Sequence, residues 1–296
     1  MGLFGGNFSK EGPGVSKNAP EKNRFFLFFE LLGRKFSKLI PLNLMYFITL
    51  LPLIFGVILS VTFNPQILSG GNIYAENLGK LPIFIFTGDI IGLALIIVSI
   101  FVTGPATCGF TYVLRNMQRQ EHTWILSDFR EQFAKNYKQG VIMSIIDIVA
   151  VFLLYVAYCF YAYSMPVIMS ESAVLAALGQ YFILVIAVLF IIMHYYIYTM
   201  IVTFDMKIKN ILKNAAIFSL AKLPLNIFIT IILVAAILAS VWYFVVGVIC
   251  ALVISLSLLG FIVVFSVYPT IESSMISSQL PQNSDDEEEK DFEDTI

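Results

Sequence analysis

Asp147 and His194 are ionisable side chains that fall inside long apolar runs, and an acid beside an imidazole is a minimal set for holding or passing a proton. An acid well inside a membrane span costs on the order of 2.5 to 3.5 kcal/mol on insertion scales, so it requires a partner or water. Counted from the charged ends of their runs, both lie roughly 10 to 14 Å from the same boundary, at a depth where they can pair. Two readings are open: a proton or solute site, or a satisfied hydrogen bond between helices. Tyr155, Tyr158, Tyr161 and Tyr163 on one run, and Tyr195, Tyr196 and Tyr198 on the other, supply hydroxyls to either.

A second chemically distinct stretch runs from Thr103 to Gly140, where an apolar run gives way to a polar segment. Within it Ser127 or Asp128 is placed to cap a helix carrying Phe129, Phe133 and Tyr137 at four-residue steps, with Arg130, Lys135 and Lys138 around them. Such a stripe either packs on the chain's own spans or docks a partner, since cytosolic loop helices are where membrane subunits meet soluble ones.

Other chemistry has no anchor. The chain has no phosphate-binding loop, zinc-protease helix or nucleophile elbow, and Cys108, Cys159 and Cys250 show no metal-like spacing. The cysteines read as small core residues. The expectation is a non-enzymatic chain with no catalytic residue, cofactor, metal or bound nucleic acid.

These residues are positioned by apolar helices. With 58% apolar and 13% charged residues and a mean hydropathy of +0.85, the composition is far from that of a soluble domain. It indicates an all-α, polytopic helical membrane protein. Four runs long enough to cross a bilayer span about 40–63, 90–113, 141–164 and 180–203. The uncharged stretch from Leu225 to Val267 is too long for one crossing and divides near 240–244, beside Trp242 and Tyr243. That makes six.

Every Lys and Arg except Lys80 falls on one side of these runs, which puts both termini in the cytoplasm of a plasma-membrane protein by the positive-inside rule. Residues 1–22 read as a flexible tail, with no cleaved signal peptide expected. Residues 23–39 read as an amphipathic interfacial helix, packed on the bundle or lying among headgroups. Residues 40–270 form the membrane domain, with a cytosolic loop at 114–140, and 271–296 an acidic tail disordered by self-repulsion. Pro41-Leu42-Asn43 and Pro224-Leu225-Asn226 open spans one and five alike, and each is followed by Ile-Thr. Either an internal duplication or convergent helix-start chemistry accounts for this echo.

The block Gly104-Pro105-Ala106-Thr107, then Thr111 to Asn116, Ser127-Asp128-Phe129 and Lys135-Asn136, resembles the YesL family of bacterial integral membrane proteins. Phe25 to Leu39, Pro41-Leu42-Asn43, Phe204-Asp205 and Leu212-Lys213-Asn214 extend the resemblance over most of residues 20 to 270. It implies a multi-span protein of Gram-positive bacteria, associated with carbohydrate-utilisation genes and sugar ABC importers. The implied role is an accessory or stabilising subunit that binds permease subunits within the membrane, and through them the ATPase and substrate-binding protein. The family defines no catalytic residues. The rival reading is a stand-alone secondary transporter or channel for a small solute, centred on Asp147 and His194.

Overall fold

A computed structural model describes residues 23–63, 90–164 and 173–276. The N-terminal tail, the loop at 64–89 with Lys80, and the acidic run from Asp285 to Asp294 lie outside the described residues. The described residues are helical without a strand, and six helices are long and apolar enough to cross a membrane. This is a polytopic all-α membrane protein.

The helices are α1 (Arg24–Phe63), α2 (Ile90–Gln118), α3 (Ile125–Lys135), α4 (Tyr137–Cys159), α5 (Ala173–Ile201), α6 (Ile208–Ala221), α7 (Leu223–Trp242), α8 (Phe244–Cys250) and α9 (Leu256–Ile271). Three π turns extend them: Phe160–Ser164 after α4, Ala251–Ser255 between α8 and α9, and Glu272–Ile276 after α9. Wider than an α turn, a π turn shifts the backbone register and disturbs the regular carbonyl pairing.

Several boundaries differ from the sequence expectation. The expected interfacial helix and first span are one 40-residue helix, about 60 Å long, that passes Pro41 and Pro52 unbroken. α2 continues five residues past Val113, because a helix does not stop where its residues become polar. α5 begins at Ala173 instead of near 180. The stretch between the fourth and fifth spans, 204–224, contains α6, whose Ile211, Ala215 and Ser219 recur at four-residue steps and are buried. The predicted division near 240–244 is the single-residue hinge at Tyr243. A Cβ on Gly247 would stand 2.0 Å from the Ser240 carbonyl, so only glycine admits so tight a reversal.

α2 is the central element and packs against α1, α3, α4, α5 and α9. Its crossing with α4 brings backbones together: a Cβ on Gly104 would lie 2.0 Å from the Gly140 carbonyl oxygen, and one on Gly140 would lie 2.5 Å from the Pro105 nitrogen. Small residues permit this approach, which is how membrane helices gain contact where no hydrophobic drive separates lipid from protein. Cys108 and Cys159 are buried and Cys250 is part-buried, all as free thiols.

With successive spans alternating in direction, every lysine and arginine of the described residues falls on one side of the six spans, a basic face. It is tied across the chain by Arg24 to the Phe265 carbonyl at 2.8 Å, Lys38 to the Thr123 carbonyl at 3.0 Å and Gln139 to the Met206 carbonyl at 3.0 Å. Buried side chains concentrate toward this basic face. In α2 they run almost continuously from Gly104 to Met117, and in α5 from Tyr195 to Ile201, whereas Leu175, Leu178, Tyr181 and Phe182 are exposed. In α1, Leu31 is fully buried and Phe28 stacks on Phe261 at 5.7 Å, while Phe25, Phe26, Phe29 and Phe36 stay exposed. One side of the amphipathic stretch is thus docked on the bundle.

Candidate functional site

α4 and α5 bring Asp147 and His194 together. His194 Nε2 lies 2.8 Å from Asp147 Oδ1, and its Nδ1 lies 2.8 Å from the Phe190 carbonyl oxygen, one helical turn back. A carbonyl only accepts, so Nδ1 carries a proton. A second proton then sits between Nε2 and Oδ1. Whether it rests on nitrogen or on oxygen, the pair has no net charge, the state a low-dielectric layer tolerates. Tyr198, four residues after His194, donates to Asp147 Oδ2 at 3.4 Å. Both members of the pair keep about a quarter of their side-chain surface exposed (26% each). The arrangement can hold one shared proton and join two spans.

The other intramembrane polar groups also join helices. Asn43 is fully buried; its Nδ2 donates to the Ala251 and Leu252 carbonyls at 2.9 and 2.8 Å, and its Oδ1 accepts from Ser257 N–H at 3.0 Å. One amide therefore bridges two carbonyls of the Ala251–Ser255 π turn and the N–H just beyond it. Asn226, also fully buried, donates to the Phe218 and Ser219 carbonyls at 3.2 and 3.0 Å and accepts from Tyr196 at 2.7 Å. Thus the two asparagines of the repeated Pro-Leu-Asn motif do similar work: each engages backbone carbonyls on another helix. The repeated motif was the available signal; which carbonyls lie opposite depends on distant elements. Tyr46 with Thr107 and Tyr195 with Thr230, each at 2.9 Å, complete the set.

The aromatic stripe of α3 divides. Phe129 is buried against α2, where a Cβ on Gly109 would come within 2.6 Å of its carbonyl oxygen. Phe133 packs beside the same cluster, and Tyr137 begins α4 with 39% of its surface exposed. Asp128 does not precede the helix as a cap. It sits in the first turn and its carboxylate reaches back to Trp124 N–H at 2.9 Å. The stripe's inner end is thereby committed to the chain itself, and the large apolar side chains left exposed at the start of α3 are Leu126 and, just before the helix, Trp124, at 60% and 70% exposure.

Below α3 the basic face opens into two adjoining cavities of about 1080 and 740 Å³ that share Gln132, Lys135, Val202, Thr203 and Phe204. Arg115, which sequence reasoning left without a role, reaches here from the end of α2. It donates to the Val202 carbonyl and to Thr203 Oγ1, and to Asn116 Oδ1 at 3.0 Å, with its guanidinium 4.6 Å over the Tyr112 ring. A cation at the exit of α5 complements the helix dipole. α2 leaves through a left-handed Gln120 (φ 61°), with Glu121 N–H returning to the Asn116 carbonyl at 2.9 Å.

Among the described residues, no group of three or more His, Cys, Asp or Glu is placed to hold a metal ion. Residues 23–158 match the model of a family described as a protein of unknown function, DUF624. The matched region takes in α1 to α4, with the Gly104 and Gly140 crossing and Asp147, and ends before His194. No curated protein and no solved structure matches the chain.

Proposed function

We propose that this protein is an accessory or stabilising subunit of a carbohydrate ABC importer, seated laterally against the permease helices of the plasma membrane. The observation that carries the reading is where the intramembrane polar groups go. Asn43, Asn226, Asp147 with His194, and the tyrosine–threonine pairs each close a bond between the chain's own helices. That is the economy of a scaffold. The apolar flanks of α5 and α7, away from the basic face, are exposed, as a membrane partner or lipid requires. The sugar-importer context rests on the resemblance of the Gly104 to Asn136 block to the YesL family. Affinity purification from native membranes in mild detergent tests it. The expected result is near-stoichiometric permease and ATPase; recovery of the chain alone refutes it.

One observation favours a second reading. The shared proton between Asp147 and His194 suits a secondary transporter that loads a proton with its solute. In proteoliposomes that reading requires proton-dependent flux that Asp147→Asn abolishes while the fold survives.

A further inference from the structure

Arg115 is 7% exposed, and each of its hydrogen bonds goes to a neutral group: a carbonyl, a hydroxyl and an amide oxygen. A buried guanidinium without a bonded carboxylate retains its full charge in a poorly solvating surround. Neighbouring Glu121 is taken by Arg119 at 2.9 Å. The cavity that Arg115 lines also holds Arg119 and Lys135, against one carboxylate, Glu131. The Lys135 ammonium forms no ion pair among the described residues. The remaining wall sets Tyr112, Val202, Phe204, Met275 and Ile276 beside the polar Gln132 and Thr203. The adjoining cavity adds one further cation and one carboxylate, Lys138 and Asp205, together with Gln139, whose Nε2 donates to the Met206 carbonyl and whose Oε1 is buried without a hydrogen-bond donor.

Cations gathered beside the apolar side chains of Phe204, Met275 and Ile276, with an acceptor lacking a donor in the adjoining cavity, match a ligand that is anionic, amphiphilic and hydroxylated. We propose that this cleft binds a phosphate ester, presented by the headgroup of an anionic phospholipid on the basic face of the membrane. The phosphate lies toward Arg115, Arg119 and Lys135; Phe204, Met275 and Ile276 take the start of the acyl chains; a headgroup hydroxyl faces Gln139. Zwitterionic headgroups fit less well because their own ammonium meets the same cations.

The test uses the full-length protein, delipidated in detergent and titrated with short-chain phosphatidylglycerol, phosphatidylcholine or glycerol phosphate, with apparent Kd read by native mass spectrometry. Phosphatidylglycerol is expected to bind in preference to phosphatidylcholine. Arg119 and Lys135 are both exposed, so Arg119→Gln with Lys135→Gln leaves the fold in place. At about fivefold per lost cation, the double substitution weakens phosphatidylglycerol binding about 25-fold, and Lys209→Gln, outside the cleft, leaves it unchanged. Glu131→Gln, which removes the opposing carboxylate, tightens it about fivefold by the same reckoning. Competition by glycerol phosphate would identify the free ester as a ligand of the same site; its failure to compete would assign the site to lipid. Equal affinity for both lipids, or an unchanged Kd in both the double variant and Glu131→Gln, overturns the proposal.

Discussion

Replacing Gly104 by alanine tests whether the α2 and α4 backbones truly touch. The added methyl carbon would stand 2.0 Å from the Gly140 carbonyl oxygen and 2.4 Å from Ser144 Oγ. Ordinary contact begins near 3.4 Å, so the helices must part by about 1.4 Å. A gap of that size forfeits half or more of the local dispersion energy, and it breaks the 3.4 Å link between Thr103 and Ser144. Overpacking of this kind costs about 3 kcal/mol, from which the better helix propensity of alanine returns about 1. The net loss is about 2 kcal/mol, a fall of about 5 °C in Tm. Gly33 is the control, because a Cβ there meets nothing within 4 Å. Gly33→Ala should leave Tm unchanged or raise it. Thermal unfolding of the detergent-solubilised protein, followed by tyrosine and tryptophan fluorescence and by size exclusion, reads both. Gly104→Ala melting at or above the parent, with Gly33→Ala behaving as expected, would refute the close crossing.

Three further outcomes are expected. Asn43→Leu strands the Ala251 and Leu252 carbonyls and the Ser257 N–H, and should cost about 2 to 3 kcal/mol, with faster amide exchange confined first to residues near 251–257. A double-mutant cycle with Asp147→Leu and His194→Leu should return a coupling of about 1 kcal/mol, in the range found for hydrogen bonds between membrane helices; a coupling of zero would mean that the pair joins nothing. Gln120→Gly should stabilise by about 1 kcal/mol, since the residue occupies a left-handed position that L side chains adopt at a cost. A lower Tm in that variant would count against the turn as described.

The spans were legible because hydrocarbon admits little except long apolar helices, so composition and length were nearly sufficient. Charge asymmetry likewise pointed to one basic face. What escaped was helix beyond the hydrocarbon. α6 carries Lys209 and Lys213, which in sequence are charges between two spans, although Ile211, Ala215 and Ser219 show the period of a buried face. α2 likewise runs on through Arg115 and Asn116. Similar depth made the pairing of Asp147 with His194 foreseeable, but Tyr198 as a third member needed only the observation that it lies one turn from His194. The stripe through Phe129 announced a face to bury without naming its neighbour. That depended on Gly109, a residue whose only signal is the side chain it lacks.

The π turn at Ala251–Ser255 has a consequence for inheritance. A π turn is, in effect, one residue more than a regular helix needs, absorbed locally so that the helix keeps its phase on either side, and deleting that residue would restore regular carbonyl pairing within the turn. Ser257 and Phe261 would keep the faces they now bury, but Asn43 would be left pointing at carbonyls already paired within their own helix. Conversely, losing Asn43 alone removes the bonds that bridge the turn. The inserted residue and the asparagine more than two hundred positions away in sequence therefore form a single heritable unit. A lineage that loses one is under pressure to lose the other.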